Sequence, residues 1–297
     1  MISKEIRDLA DLVVEAHQDL CLDTQEIFDE SQLSSSNPVY LIAKLAAAKL
    51  GFIEIDAECI ANAWSKMTNN LNDWSASDWP DSLEYFTNPI KLNPSPNCPK
   101  DLGLYVVAPS ADWIKQLTNA GVKTLQLRFK SNDQDLIEQE VIESINAVKN
   151  TNTRLFINDY WELAIKHQAY GVHLGQEDLE DSDVQQIKAA GLHLGISTHG
   201  YAEMMVAHQH SPSYIALGAI FPTTLKRMKT SPQGIGRLYK YAALMKDYPL
   251  VGIGGIDLSN IDVVLNSGVG SIAVVRAIIN AEKPLESIQA FQSHFSE

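Results

Sequence analysis

No apolar run in this chain approaches the roughly 20 residues that span a bilayer, and the opening segment, MISKEIRDLADLVVEAHQDL, is broken by charge throughout. Neither a membrane span nor a signal-peptide core is therefore expected. Cysteine is scarce: Cys21, Cys59 and Cys98 are odd in number and lack metal-ligand spacing. That argues against a disulfide framework and fits a reducing, cytoplasmic setting. Positive charge is scarce as well. With 23 Lys and Arg against 37 Asp and Glu the net charge is −14, so a nucleic-acid backbone is not the expected partner. A small phosphorylated ligand stays open, because a few local cations dominate a single pocket.

What is present divides at a Pro- and Asn-rich stretch, NPIKLNPSPNCPKD (88–101), which reads as a linker. Residues 1–97 hold 6 Lys and Arg against 16 Asp and Glu, and their pattern is helical. SKEIRDLADLVVEAHQDL places Ile6, Leu9, Leu12, Val13 and Ala16 on one face at steps of three and four. NPVYLIAKLAAAKLGF offers Asn37 as N-cap, Pro38 at the first helical position and Gly51 as terminator. IDAECIANAWSKM reads as a further amphipathic helix. No phosphate loop, metal motif or nucleophile stands out there. A small, acidic, mainly helical domain over 1–97 is expected.

Over 98–297 the rhythm changes. LGLYVVAP, TLQLRFK, RLFINDY, GVHLGQED, HLGISTH, YIALGAIF, PLVGIGGI and SIAVVRAI are short and apolar, and segments of helical period lie between them. Such alternation predicts an α/β fold with a parallel sheet buried on both faces. Eight units fit a closed (β/α)8 TIM barrel better than an open, doubly wound sheet.

Ligands of such a barrel bind where its strands end, and polar residues gather there. The second strand supplies Gln126, Arg128 and Lys130 at alternate positions, the third Asn158 and Asp159, and the fourth Gln176, Glu177 and Asp178. The fifth offers Ser197, Thr198 and His199, the sixth Thr223, Thr224 and Lys226, the seventh Gly254 and Gly255, and the eighth Val275 and Arg276. Singly, each has a plainer reading. Asp159 suits a helix N-cap, the glycine pair suits a tight turn, and His173 and His193, inside strands, suit satisfied core groups. Together they point to an anionic ligand with a metal. Two aspartates on adjacent strands can share one Mg2+, whose shell is completed by water and phosphate. Arg128, Lys130 and Lys226 would neutralise a diphosphate leaving group, and the glycines would let backbone N–H groups approach a second phosphate.

With those motifs in view, the chain resembles the thiamine-phosphate synthase family over residues 102–282. The resemblance rests on LQLRFK (125–130), FINDYWELAIKHQAYGVHLGQEDL (156–179), GISTH (195–199), IALGAIFPT (215–223) and VGIGGI (251–256). It implies a transferase that joins 4-amino-2-methyl-5-(hydroxymethyl)pyrimidine diphosphate to a thiazole phosphate and releases pyrophosphate by a dissociative route. It further implies that Gln126, Arg128, Lys130, Asn158, Ser197 and Lys226 hold the pyrimidine diphosphate and that Asp159 and Asp178 carry Mg2+. The thiazole-phosphate side, at Thr223, Thr224, Gly255, Val275 and Arg276, departs from the family pattern. Leu225 stands where a second Thr of Thr-x-Thr-Lys is expected, and Arg276 where a Ser follows Val275. A related thiazole tautomerase would not need the pyrimidine and Mg2+ constellation. A barrel that binds without turnover is the competing reading. Residues 1–97 lie outside the resemblance; they lack the anion-binding turn of a pyrimidine kinase and are read as a remnant, a dimerisation element or a docking module.

Overall fold

A computed structural model describes residues 2–22, 29, 33–68, 70–87, 93–223 and 230–295. Its strands are β1 (Gly103–Ala108), β2 (Thr124–Leu127), β3 (Arg154–Asn158), β4 (Gly171–Leu174), β5 (His193–Thr198), β6 (Tyr214–Leu217), β7 (Leu250–Ile253) and β8 (Ser271–Val274). They form a closed parallel barrel in chain order, with β8 paired back to β1. Helices α1 (Lys4–Ala16), α2 (Pro38–Lys49), α3 (Glu54–Met67) and α4 (Leu83–Phe86) precede it. Around the barrel run α5 (Ala111–Asn119), α6 (Gln134–Val148), α7 (Trp161–Lys166), α8 (Gln176–Glu180), α9 (Val184–Ala189), α10 (Tyr201–Gln209), α11 (Gly234–Leu244), α12 (Ile261–Leu265), α13 (Arg276–Ile279) and α14 (Pro284–Gln292). Among the described residues no helix is long and apolar enough to cross a membrane.

Two apolar layers follow from the period-two pleat of the strands. Outward residues such as Leu125, Ile157, Val172, Leu194 and Ile272 join the helices in one cluster. Inward residues Tyr105, Val107, Phe156, Tyr214, Ala216, Val251 and Ala273 form a second. Three rings fill most of the interior, and glycine at the register position on a neighbouring strand makes room for two of them. A Cβ on Gly195 would lie 2.1 Å from the Tyr214 ring, and one on Gly171 2.7 Å from that of Phe156. Below the rings, Cys98 and Leu102 complete the inner cluster. The described part of the Pro-rich stretch is pinned across this end of the barrel: Ser95 N donates to Ser211 O at 3.0 Å and Lys188 Nζ to Asn93 O at 2.5 Å.

The helical segment begins as its caps dictate. Ser3 Oγ accepts from Ile6 N at 3.2 Å, and Asn37 Oδ1 accepts from Val39 N at 2.9 Å with Pro38 following. The buried face of α1 is narrower than its sequence suggests. Ile6, Ala10 and Val13 are buried, whereas Leu12 is 49% exposed. At about 100° per residue, Leu12 lies some 120° round from Ile6, and Ala10 takes its place on the inner stripe.

These helices share the outer core of the barrel. Arg237 of α11, buried, donates through Nε to Leu20 O at 3.0 Å and through Nη2 to Leu50 O at 2.9 Å, with its guanidinium 3.6 Å from the centre of the Phe52 ring. Asp56 of α3 is buried against α10, where Ala202 N donates to its Oδ1 at 2.8 Å. Burial pushes the Asp56 carboxyl up to about 6, against the pull of the Ala202 N–H and Arg237 and helped by Glu203. A raised carboxyl in the fold favours its neutral form. The associated stability is full below the ordinary value of 3.8 and is lost as pH rises through about 6. Asp56→Asn, which cannot ionise, should therefore gain on the wild type by on the order of 2 kcal/mol between pH 4 and pH 7. Paired denaturant titrations across that range check it, and parallel stability curves would contradict it.

Candidate active site

The strand ends open into a cavity of about 670 Å3 at the C-terminal mouth of the barrel. Gln126, Arg128, Lys130, Asn158, Asp159, Asp178, Ser197, Thr223, Gly255, Val275 and Arg276 all line it. Thr224, Leu225 and Lys226 lie outside the described residues. Strand register explains why so many meet. Gln126 is level with Val107 on β1 and Phe156 on β3, and Asn158 is level with His173, which is level with Gly195. The side chains of Val107, Gln126, Phe156, Asn158 and His173 therefore share the inner face, and the polar members among them line the cavity.

Asp159 does not cap a helix. The capping position of α7 is Tyr160, with no side-chain cap bond, and the Asp159 carboxylate instead pairs with Lys130 Nζ. Its backbone is left-handed, with φ of 65°, a region that Asp and Asn enter more readily than other side chains. Asp159 N donates to His173 O at 3.0 Å, and Tyr160 Oη donates to Phe129 O at 3.1 Å, so the turn is tied to both neighbouring strands. Asp178 sits on the short α8. The preceding Gln176 donates through Nε2 to Ser197 O at 2.6 Å, which anchors α8 to β5.

His173, read from the sequence as a satisfied core residue, is satisfied and also lines the cavity. Its Nδ1 lies 2.6 Å from Tyr214 Oη and its Nε2 2.8 Å from Ser197 Oγ. The chain of contacts continues through Tyr105 Oη, 2.9 Å from Tyr214 Oη, to Gln126 Nε2, 3.1 Å from Tyr105 Oη. Burial holds both phenols well above the ordinary range, so they stay protonated. Gln126 and Ser197, on strands three apart, are thereby oriented by one buried hydrogen-bonded chain. The signal for His173 was present in GVHLG: Val172 and Leu174 take the outer face, which leaves the histidine inside.

At the rim, His199 N and Nδ1 lie 2.8 Å and 2.6 Å from Glu203 Oε2 on α10. Two strands round, Gly254 and Gly255 have φ of 102° and 67° and pass close to the β6 loop, with Phe221 N donating to Gly254 O at 3.0 Å. Arg276, exposed, opens α13 beside them. The site thus combines cations, four carboxylates (Asp159, Glu177, Asp178 and Asp257), amides and hydroxyls on one concave surface, a set suited to a polar, phosphorylated ligand. No nucleophile–base pair of the acyl-transfer kind is needed to explain any of these contacts.

Comparison with known proteins gives a consistent result. The family model described as thiamine monophosphate synthase matches residues 104–278. The thiamine-phosphate synthase of Escherichia coli O157:H7 (strain EC4115 / EHEC) is 54% identical over 186 residues, covering 63% of this chain and 88% of that protein. The enzyme of the same name from Salmonella paratyphi B shows the same identity and coverage. Among solved structures, thiamine phosphate pyrophosphorylase from Pyrococcus furiosus is similar, with a TM-score of 0.58 and 26% identity over 65% of this chain and 94% of that one. The chain belongs to the thiamine monophosphate synthase family.

Proposed function

We propose that this cavity joins 4-amino-2-methyl-5-(hydroxymethyl)pyrimidine diphosphate to 4-methyl-5-(2-phosphoethyl)thiazole, giving thiamine phosphate and pyrophosphate. The observation that carries the reading is the meeting of Gln126, Arg128, Lys130, Asn158, Asp159, Asp178 and Ser197 on one surface. Arg128 and Lys130, with Lys226 from the β6 loop, neutralise the diphosphate. Asn158, Gln126 and Ser197 orient the pyrimidine from the cavity floor. The C–O bond to the diphosphate breaks with both electrons on the leaving oxygen. The thiazole nitrogen then donates its lone pair to the pyrimidine methylene carbon, so no proton and no protein nucleophile is required. What the protein supplies is charge placed where charge develops, and shelter of the cation from water.

The donor set fits Mg2+. Asp159 and Asp178 are hard oxygen donors on one cavity, and among the described residues no group of three or more His, Cys, Asp or Glu could hold an ion unaided. Mg2+ commonly takes one or two carboxylates and leaves the rest of its shell to water and phosphate. Asp159 and Asp178 would hold it, and its chemistry when bound is further charge neutralisation of the diphosphate.

Purified protein given both substrates and Mg2+ should form thiamine phosphate and pyrophosphate in equal amounts. Tight binding of the pyrimidine diphosphate with no product, even at high thiazole phosphate, would instead make the barrel a binding module. Arg276 replaces the serine that the family pattern puts after Val275, and its guanidinium can grip a phosphate through two bonds. Arg276→Ser should raise KM for the thiazole phosphate about tenfold, the loss of a charge-assisted contact. A lowered KM would mean that the arginine obstructs the pocket.

A further inference from the structure

The N-terminal helices lie outside the span matched by the family model, yet they are fastened to the helix that follows the Ser197 loop. α10 has no cap of its own: Gly200 occupies the N-cap position and makes no side-chain cap bond. A helix start leaves several N–H groups unpaired. Here Asp56, from a helix 146 residues away in sequence, accepts from Ala202 N at 2.8 Å. The fit leaves no space for a capping side chain in place. A Cβ on Gly200 would lie 2.0 Å from Asp56 Oδ2. Tyr201, the first residue of α10, is held on the same side. Its ring stacks on Phe86 at 5.1 Å, and its hydroxyl accepts from Trp79 Nε1 at 2.8 Å.

This fastening leads to the cavity in two short steps. Glu203, in the first turn of α10, clasps both His199 N and His199 Nδ1. His199, Thr198 and Ser197 line the cavity. We propose that the N-terminal helices are an in-chain brace for this side of the active site, with Asp56 the positioning residue that holds the β5–α10 loop against the cavity. Asp56 touches no reacting atom; it acts through the placement of α10. The inference rests on the function proposed above.

The crowding at Gly200 supplies a test with a sign reversal. Asp56→Ala removes the cap and should lower kcat about tenfold with KM for either substrate changed less than threefold, because a small misplacement of the loop acts on the reacting geometry. Gly200→Ser alone should also impair turnover, since its side chain enters space that Asp56 fills. The double variant should recover most of the lost kcat, the serine then capping α10 from the vacated space. Rates are read well below each variant's melting temperature. Hydrogen exchange of the amides of residues 197–203 is read in parallel: faster in Asp56→Ala and slowed again in the double variant. Wild-type kcat and exchange in Asp56→Ala, or a double variant no better than the worse single one, would overturn the brace. A wild-type protein without turnover would overturn the proposed function instead, and the exchange pattern would still decide for or against the brace.

Discussion

Asp159→Asn should lose turnover by about 10²–10³-fold while melting within a degree or two of the wild type. The magnitude is that of removing one group aimed at developing charge in a dry site. Asp159 faces the cavity with its side chain only 14% exposed and is paired with Lys130. On the proposed mechanism its removal would change both the charge available to Mg2+ and the placement of Lys130 beside the leaving group. Asparagine is the cleaner substitution because φ of 65° suits it as well as aspartate. Asp159→Ala should lose as much activity, and should also lose about 1 kcal/mol of stability from the left-handed backbone. Steady-state rates over a Mg2+ titration, beside thermal melts, separate the two effects. Turnover near the wild-type value in the asparagine variant would remove Asp159 from the metal site.

Gly254→Ala should be strongly damaging, because a close backbone approach and a positive φ coincide there. The added Cβ would lie 2.6 Å from both Cα and Cβ of Ala219, and the φ of 102° already disfavours any L side chain. The neighbour is backbone, so it cannot swing aside. Strain and overpacking together should destabilise the fold by about 2–5 kcal/mol, lowering the melting temperature by about 5–15 °C. The β6 loop is hydrogen-bonded to this turn at Phe221 N, so KM for the thiazole phosphate should rise in whatever fraction still folds. An alanine variant that melts and binds like the wild type would show that the turn relaxes freely.

Much of this was open to reading from the residues. The eight strands stand out because parallel strands buried on both faces must be short, apolar and rich in β-branched residues, as in SIAV and YIAL. Their polar ends mark the site because barrel closure brings every C-terminal end to one rim. Reading fails where one residue type serves two environments. His173 in a strand looks the same whether it plugs a core or touches Ser197, and only the register with Asn158 distinguishes the two. Leu12 failed for a simpler reason: apolar spacing on α1 admitted two stripes, and the small Ala10 won the buried one. The Asp56 contact was beyond any local pattern. A cap supplied across 146 residues leaves no signature at either end except a glycine where a serine would ordinarily stand.

The packed floor of the barrel has a kinetic consequence. With Tyr105, Phe156 and Tyr214 filling the middle and Cys98 and Leu102 beneath them, nothing passes through the axis. Two reactants must enter and two products leave by the same opening. On the placement proposed above, the pyrimidine diphosphate takes the cavity floor and has to enter before the thiazole phosphate, so traffic through the mouth would have an order imposed on it. Pyrophosphate retained after the reaction occupies the position that the next pyrimidine diphosphate needs. It should therefore inhibit competitively against that substrate and non-competitively against the other.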